Sequence, residues 1–379
     1  MKSDIKEYIR NNRSRLYGTL KELCAIPAPS HLEEKRAEYC KKWLEDAGAG
    51  GVYIDEALNV IFPYNCEGSN DITVFAAHTD TVFPDTEPMP YFDDGERIHC
   101  PGAADDTASV TVLLMMAEFF VKNNISTDGG ILFVCNSCEE GLGDLLGTKQ
   151  LFKDYRGRIG RFITFDSNYH TVSDRCVGSH RYEVEVKTQG GHSFGNFGRK
   201  NAIAELSSIV SEIYKLQVPN KDGTRTTYNV GAIQGGTSVN TIAQSAKMLC
   251  EYRSDDIECL DYMKARFESL FSSANTEDVL VSVKLVGDRP CGNIDKELMD
   301  RFKLKVIPTI EGTIGQAVSC ESSSTDCNIP LSLGIPALCV GVDLHSGIHT
   351  REEWVDKASL LTGLEIAIKL GLTLSKTQS

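Results

Sequence analysis

The stretch Asp71-Ile72-Thr73-Val74-Phe75-Ala76-Ala77-His78-Thr79-Asp80 decides the fold. A short apolar run with β-branched and aromatic members reads as a strand buried on both faces, the habit of parallel sheets. It ends in a histidine with an acid two residues on. On a strand those two positions share a face, so Asp80 can hold one ring nitrogen of His78 while the other is offered to a metal. In isolation, a histidine two residues from an acid is also an ordinary surface pair.

Outward from this strand, apolar runs and helical patterns alternate. Helices are expected at 4–24 and 32–47, the second opened by Ser30 as N-cap with Glu33 as its capping-box acid. Further helices are expected at 108–123 and 147–154, with strands at 52–54, 59–64, 131–136 and 161–166. The pattern changes near Gly178. Arg181-Tyr182-Glu183-Val184-Glu185-Val186-Lys187-Thr188 alternates polar and apolar residues, as a strand with one wet face does. A helix (202–216), two strands (228–234 and 245–252), a helix (257–272) and a strand (279–286) follow, giving the β-α-β-β-α-β order of a ferredoxin-like unit. Afterwards the earlier pattern resumes, with helices at 296–303, from about 325, and at 357–370, and a strand at 337–342. The expected fold class is α/β: a mostly parallel sheet flanked by helices, formed by 1–177 and 289–379, with an α+β domain inserted at 178–288.

Composition narrows the functional classes. The 379 residues are 41% hydrophobic, enough for sizeable cores. A net charge of −14 argues against nucleic acid or anionic membrane as the main partner. No apolar stretch reaches spanning length, and the first ten residues lack the apolar core of a signal peptide. The thirteen cysteines are an odd number, scattered without a framework, and read as reduced thiols of a cytoplasmic protein. Cys135-Asn136-Ser137-Cys138 has redox spacing, but it closes an apolar strand and runs into two glutamates, unlike a helix-opening redox pair.

Four more segments put metal-type ligands at strand ends or in the turns beyond them. They are Asp105-Asp106 before an apolar helix, Glu139-Glu140 after the strand at 131, Asp166 after the strand at 161, and His345 with His349 after the strand at 337. Each has a plain reading: an N-cap, a solvated turn, a loop closure, a surface histidine. Together they would be a large repulsive cluster unless cations were bound. In an open α/β sheet such ends converge beyond the carboxyl edge. A carboxylate-rich, imidazole-containing, thiolate-free set suits two divalent ions, with zinc favoured and cobalt or manganese admissible.

With these motifs in order, the chain resembles the di-zinc exopeptidase and amidohydrolase superfamily of peptidase T, carboxypeptidase G, aminoacylase and succinyl-diaminopimelate desuccinylase. The resemblance spans nearly the whole chain. Gly190-Gly191-His192-Ser193-Phe194-Gly195-Asn196-Phe197-Gly198 and Ser323-Ser324-Thr325-Asp326-Cys327-Asn328-Ile329-Pro330 look most like the peptidase T, or tripeptidase, branch. The resemblance implies that His78, Asp105 and Asp166 hold one ion. Asp105, Glu140 and His349 hold the other, with Asp105 bridging. It makes Asp80 the partner that orients His78 and Glu139 the general base. His349 is preferred to His345 because His349-Thr350-Arg351-Glu352-Glu353-Trp354 matches the closing motif. In the inserted domain, the resemblance implies a lid and homodimerisation module. There His192 steadies the oxyanion of the partner subunit's site, and Asn240 and Arg253 contact substrate.

Thr107 stands where relatives often carry lysine, which loosens the match to peptidase T itself. The expected activity is metal-dependent hydrolysis of short peptides by a water that Glu139 activates. An N-acyl amino acid deacylase with the same centre is the alternative. A non-catalytic metal- or peptide-binding protein is a more distant one, disfavoured by the intact Glu139.

Overall fold

The computed structural model describes residues 2–376, and by internal contacts the chain divides into two compact units. One comprises the chain up to Cys176 together with the chain from Asn293, and the other is Val177–Gly292.

The first unit is built on an eight-stranded sheet, ordered Tyr53–Ile54, Val60–Tyr64, Gly130–Asn136, Ile72–His78, Ile159–Phe165, Ala337–Val340, Thr171–Cys176, Ser319–Ser323. The four central strands are mutually parallel. Antiparallel pairs lie on either side of them. Ile72–His78 is buried at every position, as a strand covered on both faces must be. Phe62, Phe133, Phe75 and Phe165 form a stacked ladder across neighbouring strands, with centroids 5.7, 6.3 and 5.9 Å apart. Helices Lys2–Cys24, Ser109–Lys122, Lys296–Ile314 and Lys357–Leu374 supply apolar faces to the same core.

The second unit has a four-stranded antiparallel sheet, ordered Thr226–Gly235, Ser245–Ser254, Gly178–Lys187, Leu280–Arg289. Helices Ala202–Ile213 and Ile257–Ser273 bury their apolar stripes against the face carrying Tyr182, Val184 and Val186. This is the α+β order expected for the insertion.

Several local expectations are corrected. Ser30 and Glu33 form no capping box: the helix begins at Glu34 with no side-chain cap. Ser30 Oγ instead donates to Asp80 (2.6 Å), and Glu33 accepts the N–H of Cys138 (3.0 Å). Both side chains serve the strand ends rather than the helix. The helix from Lys296 runs to Ile314 through Pro308, which lies on its exposed side where water can satisfy the backbone carbonyl that proline leaves unpaired. The helix expected from about 325 is only Asn328–Ser332. Two strands escape the apolar-run criterion, Thr171–Cys176 and Ser319–Ser323, because polar residues are tolerated near a sheet's edge. A small sheet of Phe92–Asp93, Arg97–His99, Trp354–Asp356 and His345–Ser346 escapes it too, its strands being two or three residues long.

Candidate active site

The strands Ile72–His78, Gly130–Asn136, Ile159–Phe165 and Ala337–Val340 all end at one edge of the sheet. His78 ends the first, Glu139 and Glu140 follow the second, Asp166 the third, and His345 and His349 the fourth. A parallel arrangement makes this convergence automatic.

Asp105 sits at the middle. One carboxylate oxygen lies 3.1 Å from His78 Nε2 and the other 2.9 Å from His349 Nε2. His349 Nε2 also lies 3.3 Å from Glu140 Oε1. Ligand atoms of His78, Asp105 and Glu140 lie within 4.8 Å of one another, and so do those of His78, Asp106 and Asp166. All five residues expected to ligate metal are thus brought together. Each oxygen of Asp105 faces a different histidine, the disposition a bridging carboxylate needs. Donor atoms about 2.0–2.2 Å from a shared ion stand roughly 3 Å apart, so the spacing fits.

The electrostatics point the same way. Burial, then the charge of Asp105, pushes the Asp166 carboxyl up to about 8. Burial likewise raises Glu140 to about 7, against the hydrogen bond from His349. Burial also opposes ionisation of Asp105, but hydrogen bonds from His349 and His78 hold it well below the usual carboxylate range. Those same bonds to Asp105 and Glu140 lift His349 to about 10. Such a cluster is poorly compensated by two imidazoles and would be relieved by cations.

Asp80 organises the edge. Its Oδ1 lies 3.3 Å from His78 Nδ1 and accepts the N–H of Glu139 at 2.9 Å, while Oδ2 accepts the N–H of Glu140 at 2.9 Å. One fully buried carboxylate therefore orients His78 and fixes the backbone of Glu139 and Glu140.

The sequence pattern passes over several residues of this framework. Glu353, buried, accepts the N–H groups of Gly102 (2.7 Å), Ala104 (2.8 Å) and Asp105 (3.0 Å), clamping the loop that presents the Asp105 carboxylate. Its signal is in view, the last acid of the closing motif. Arg36, also buried, donates to the carbonyls of Ile26 and Thr79, each at 2.8 Å, and supports the His78–Asp80 turn from beneath. Asp106 accepts the N–H of His78 (2.9 Å) and belongs to the second ligand group, although in sequence it stands only as the companion of Asp105. Asp326 accepts from Asn136 (2.7 Å) and Thr148, and burial with the neighbouring charge of Glu139 pushes it up to about 6. Thr107, at the position that departs from relatives, donates to the Gly102 carbonyl and pins the same loop. His345 is held on Asp343 at 2.6 Å, whereas His349 makes the direct contacts to Asp105 and Glu140. His349 adopts a left-handed backbone (φ 62), a strained conformation for histidine of the kind that gathers at functional sites.

Three expected residues belong to the inserted unit. His192 pairs with Thr241 in a two-stranded ribbon, and Ser193 donates to the Asn240 carbonyl at 3.0 Å, so His192 and Asn240 are neighbours. His192 Nδ1 accepts the N–H groups of Phe194 and Gly195, both at 3.2 Å. This leaves the proton of a neutral ring on Nε2 and makes that atom a donor. Arg253 is not brought to them. It lies eight positions along its strand from Ser245, roughly 26 Å away at strand spacing, beside Glu251 (2.8 Å) and opposite Ser179.

The model of peptidase family M20/M25/M40 matches residues 74–372. The chain belongs to that family. An uncharacterised Bacillus subtilis protein, YqjE, is 23% identical to it over 389 residues, 95% of this chain and 98% of its own. A Staphylococcus aureus tripeptidase shares the fold with a TM-score of 0.74 at 22% identity, over 96% of this chain and 99% of its own. A dinuclear metal-binding peptidase of B. subtilis from the M20 family does so with a TM-score of 0.67 at 15% identity, over 96% and 98%. As an M20/M25/M40 member the chain is a hydrolase of peptide or amide bonds, and it carries candidate metal-binding groups at the sheet edge. Among the described residues no helix is long and apolar enough to cross a membrane. Both thiols of the Cys135–Cys138 spacing are buried. A hydrogen bond with Cys40, then burial, drives the Cys135 pKa upward, and burial, then the charge of Glu33, does so for Cys138, away from the reactive thiolate in each case.

Proposed function

We propose that this chain is a metal-dependent exopeptidase acting on short peptides, with two divalent ions, zinc in the first instance, held by His78, Asp105, Asp166, Glu140 and His349. The observation that carries the reading is the triple engagement of Asp80 with His78, Glu139 and Glu140. It joins an expected base to a ligand set at one strand edge, which a binding protein without turnover does not require. Bound ions would supply Lewis acidity, lowering the pKa of water toward 7 and polarising the scissile carbonyl. Glu139 takes the proton from the attacking water and returns it to the leaving amine. Asp80 keeps Glu139 and His78 in register, and Glu353 keeps the Asp105 loop in place. His192 offers its Nε2–H to the oxygen on which negative charge develops. Arg253 offers a planar guanidinium to the peptide's free carboxylate.

The separation of His192 from Arg253 along the lid sheet supports division of labour between two subunits, with His192 serving the partner's site in a cytoplasmic homodimer. The test is hydrolysis of dipeptides, tripeptides and N-acyl amino acids by protein loaded with zinc, cobalt or manganese. Peptide turnover is expected, with Glu139→Gln lowering kcat by about 10²–10⁴-fold while retaining metal. Turnover confined to N-acyl amino acids would move the assignment to a deacylase. Metal and peptide binding without turnover would make the chain a binding protein.

A further inference from the structure

Phe194 and Phe197 are 90% and 92% exposed, and Val239 is fully exposed. Burial of such side chains stabilises a fold, so leaving three of them in water on adjacent loops is unusual. Their placement is specific. Phe194 follows His192 by two residues and Val239 precedes Asn240. The two segments are tied together by the ribbon of Gly191–His192 with Thr241–Ile242 and by Ser193 donating to Asn240.

The loop is braced. Asn196 Oδ1 accepts the His192 N–H at 2.9 Å, the Asn196 N–H donates to the His192 carbonyl at 2.9 Å, and Arg199 donates to the Gly190 carbonyl at 3.2 Å. Gly191 is required in this brace, since a Cβ there would stand 2.7 Å from Asn196 Oδ1, at φ +146. The N–H of Phe194 is itself one of the donors that fix His192. The backbone that carries Phe194 is thus held at a set position relative to the His192 ring.

We infer that Phe194 and Phe197 are specificity-determining residues that receive an apolar side chain of the substrate next to the scissile bond. The inference rests on the reading that His192 donates to the scissile oxygen. If it does, Phe194, bonded directly to His192, and Phe197, whose N–H donates to the Phe194 carbonyl, lie opposite the substrate residues that adjoin that oxygen, because a peptide advances only about 3.5 Å per residue. A few placed polar groups ringed by aromatic and aliphatic surface is the usual composition of a site for a partly apolar ligand.

The experiment compares metal-loaded wild type, Phe194→Ala, Phe197→Ala, the double variant and the double Phe→Leu variant. The substrates are tripeptides with Gly, Ser, Leu or Phe on either side of each bond, together with N-acetyl amino acids bearing the same side chains. For wild type, kcat/KM for leucyl or phenylalanyl substrates should exceed that for glycyl analogues by about 10–200-fold. The double alanine variant should reduce that ratio about tenfold or more, chiefly through KM, and the leucine variant should restore most of it. A ratio unchanged in the double variant, with rates falling equally for all substrates, overturns the inference and leaves peptidase activity standing. It is overturned equally if wild type shows no apolar preference, or if the variants alter only the sedimentation of the protein, which would make the patch a contact between copies. No turnover of any substrate by wild type would overturn the proposed function and this inference with it.

Discussion

Glu353 is not among the candidate ligands, yet three N–H groups of the Gly102–Asp105 loop converge on it. Glu353→Ala removes the carboxylate that accepts all three N–H groups and frees the Asp105 carboxylate to move. The dissociation constant for zinc or manganese should rise about 10–100-fold, as for other outer partners of metal ligands. Calorimetric titration of metal-free protein reads this directly, and an unchanged constant would show that Asp105 needs no clamp. The residue scale is also where the sequence is most and least legible. His78, Asp105, Glu140, Asp166 and His349 are legible as candidate ligands because metal-type ligands belong to a narrow set of residue types at recognisable strand ends. Arg36 is not. A lone arginine in a helical pattern reads as solvated, and only tertiary packing reveals that its guanidinium is buried on the carbonyls of Ile26 and Thr79.

Each strand of the central sheet delivers ionisable groups to the same edge, and their protonation is coupled through that geometry. Burial holds Glu140 up to about 7 and Asp166 up to about 8, and hydrogen bonds to Asp105 and Glu140 hold His349 up to about 10. A cation needs the carboxylates ionised and the imidazole neutral. All three groups must therefore lose protons, and the sign is the same for each. Affinity should rise from pH 6 to pH 8 by roughly tenfold per pH unit for each proton displaced, and binding should release protons into a weakly buffered solution. Affinity independent of pH across that range would contradict the arrangement. At this scale the apolar runs at 131–136 and 161–166 are readable because both faces of a central parallel strand are buried. The strand Ser319–Ser323 is not, since an edge position imposes no apolar pattern. Ser30 and Glu33 mislead for a related reason: a capping motif is local, and the strand ends draw both side chains away from the helix.

In the whole molecule, the proposed homodimer and the proposed role of His192 can be tested together. Mixing His192→Ala with Glu139→Gln subunits under exchange should restore about a quarter of wild-type activity if His192 works in the partner's site of a symmetric dimer. Half the dimers would be mixed, and each would hold one complete site. Restoration absent despite demonstrated subunit exchange would place His192 in its own subunit's site. The amino-acid sequence by itself determined the α/β class, the inserted α+β unit and the set of candidate metal ligands. Periodicity and residue chemistry are properties of neighbours in the chain and survive without coordinates. Only the tertiary structure decided that Asp105 divides its oxygens between His78 and His349, that Asp80 binds the turn carrying Glu139 and Glu140, and that Glu353 clamps the Asp105 loop from some 250 residues away. Those contacts join segments remote in sequence. Distance and burial, which fix their strength and their protonation, exist only once the strands are laid side by side.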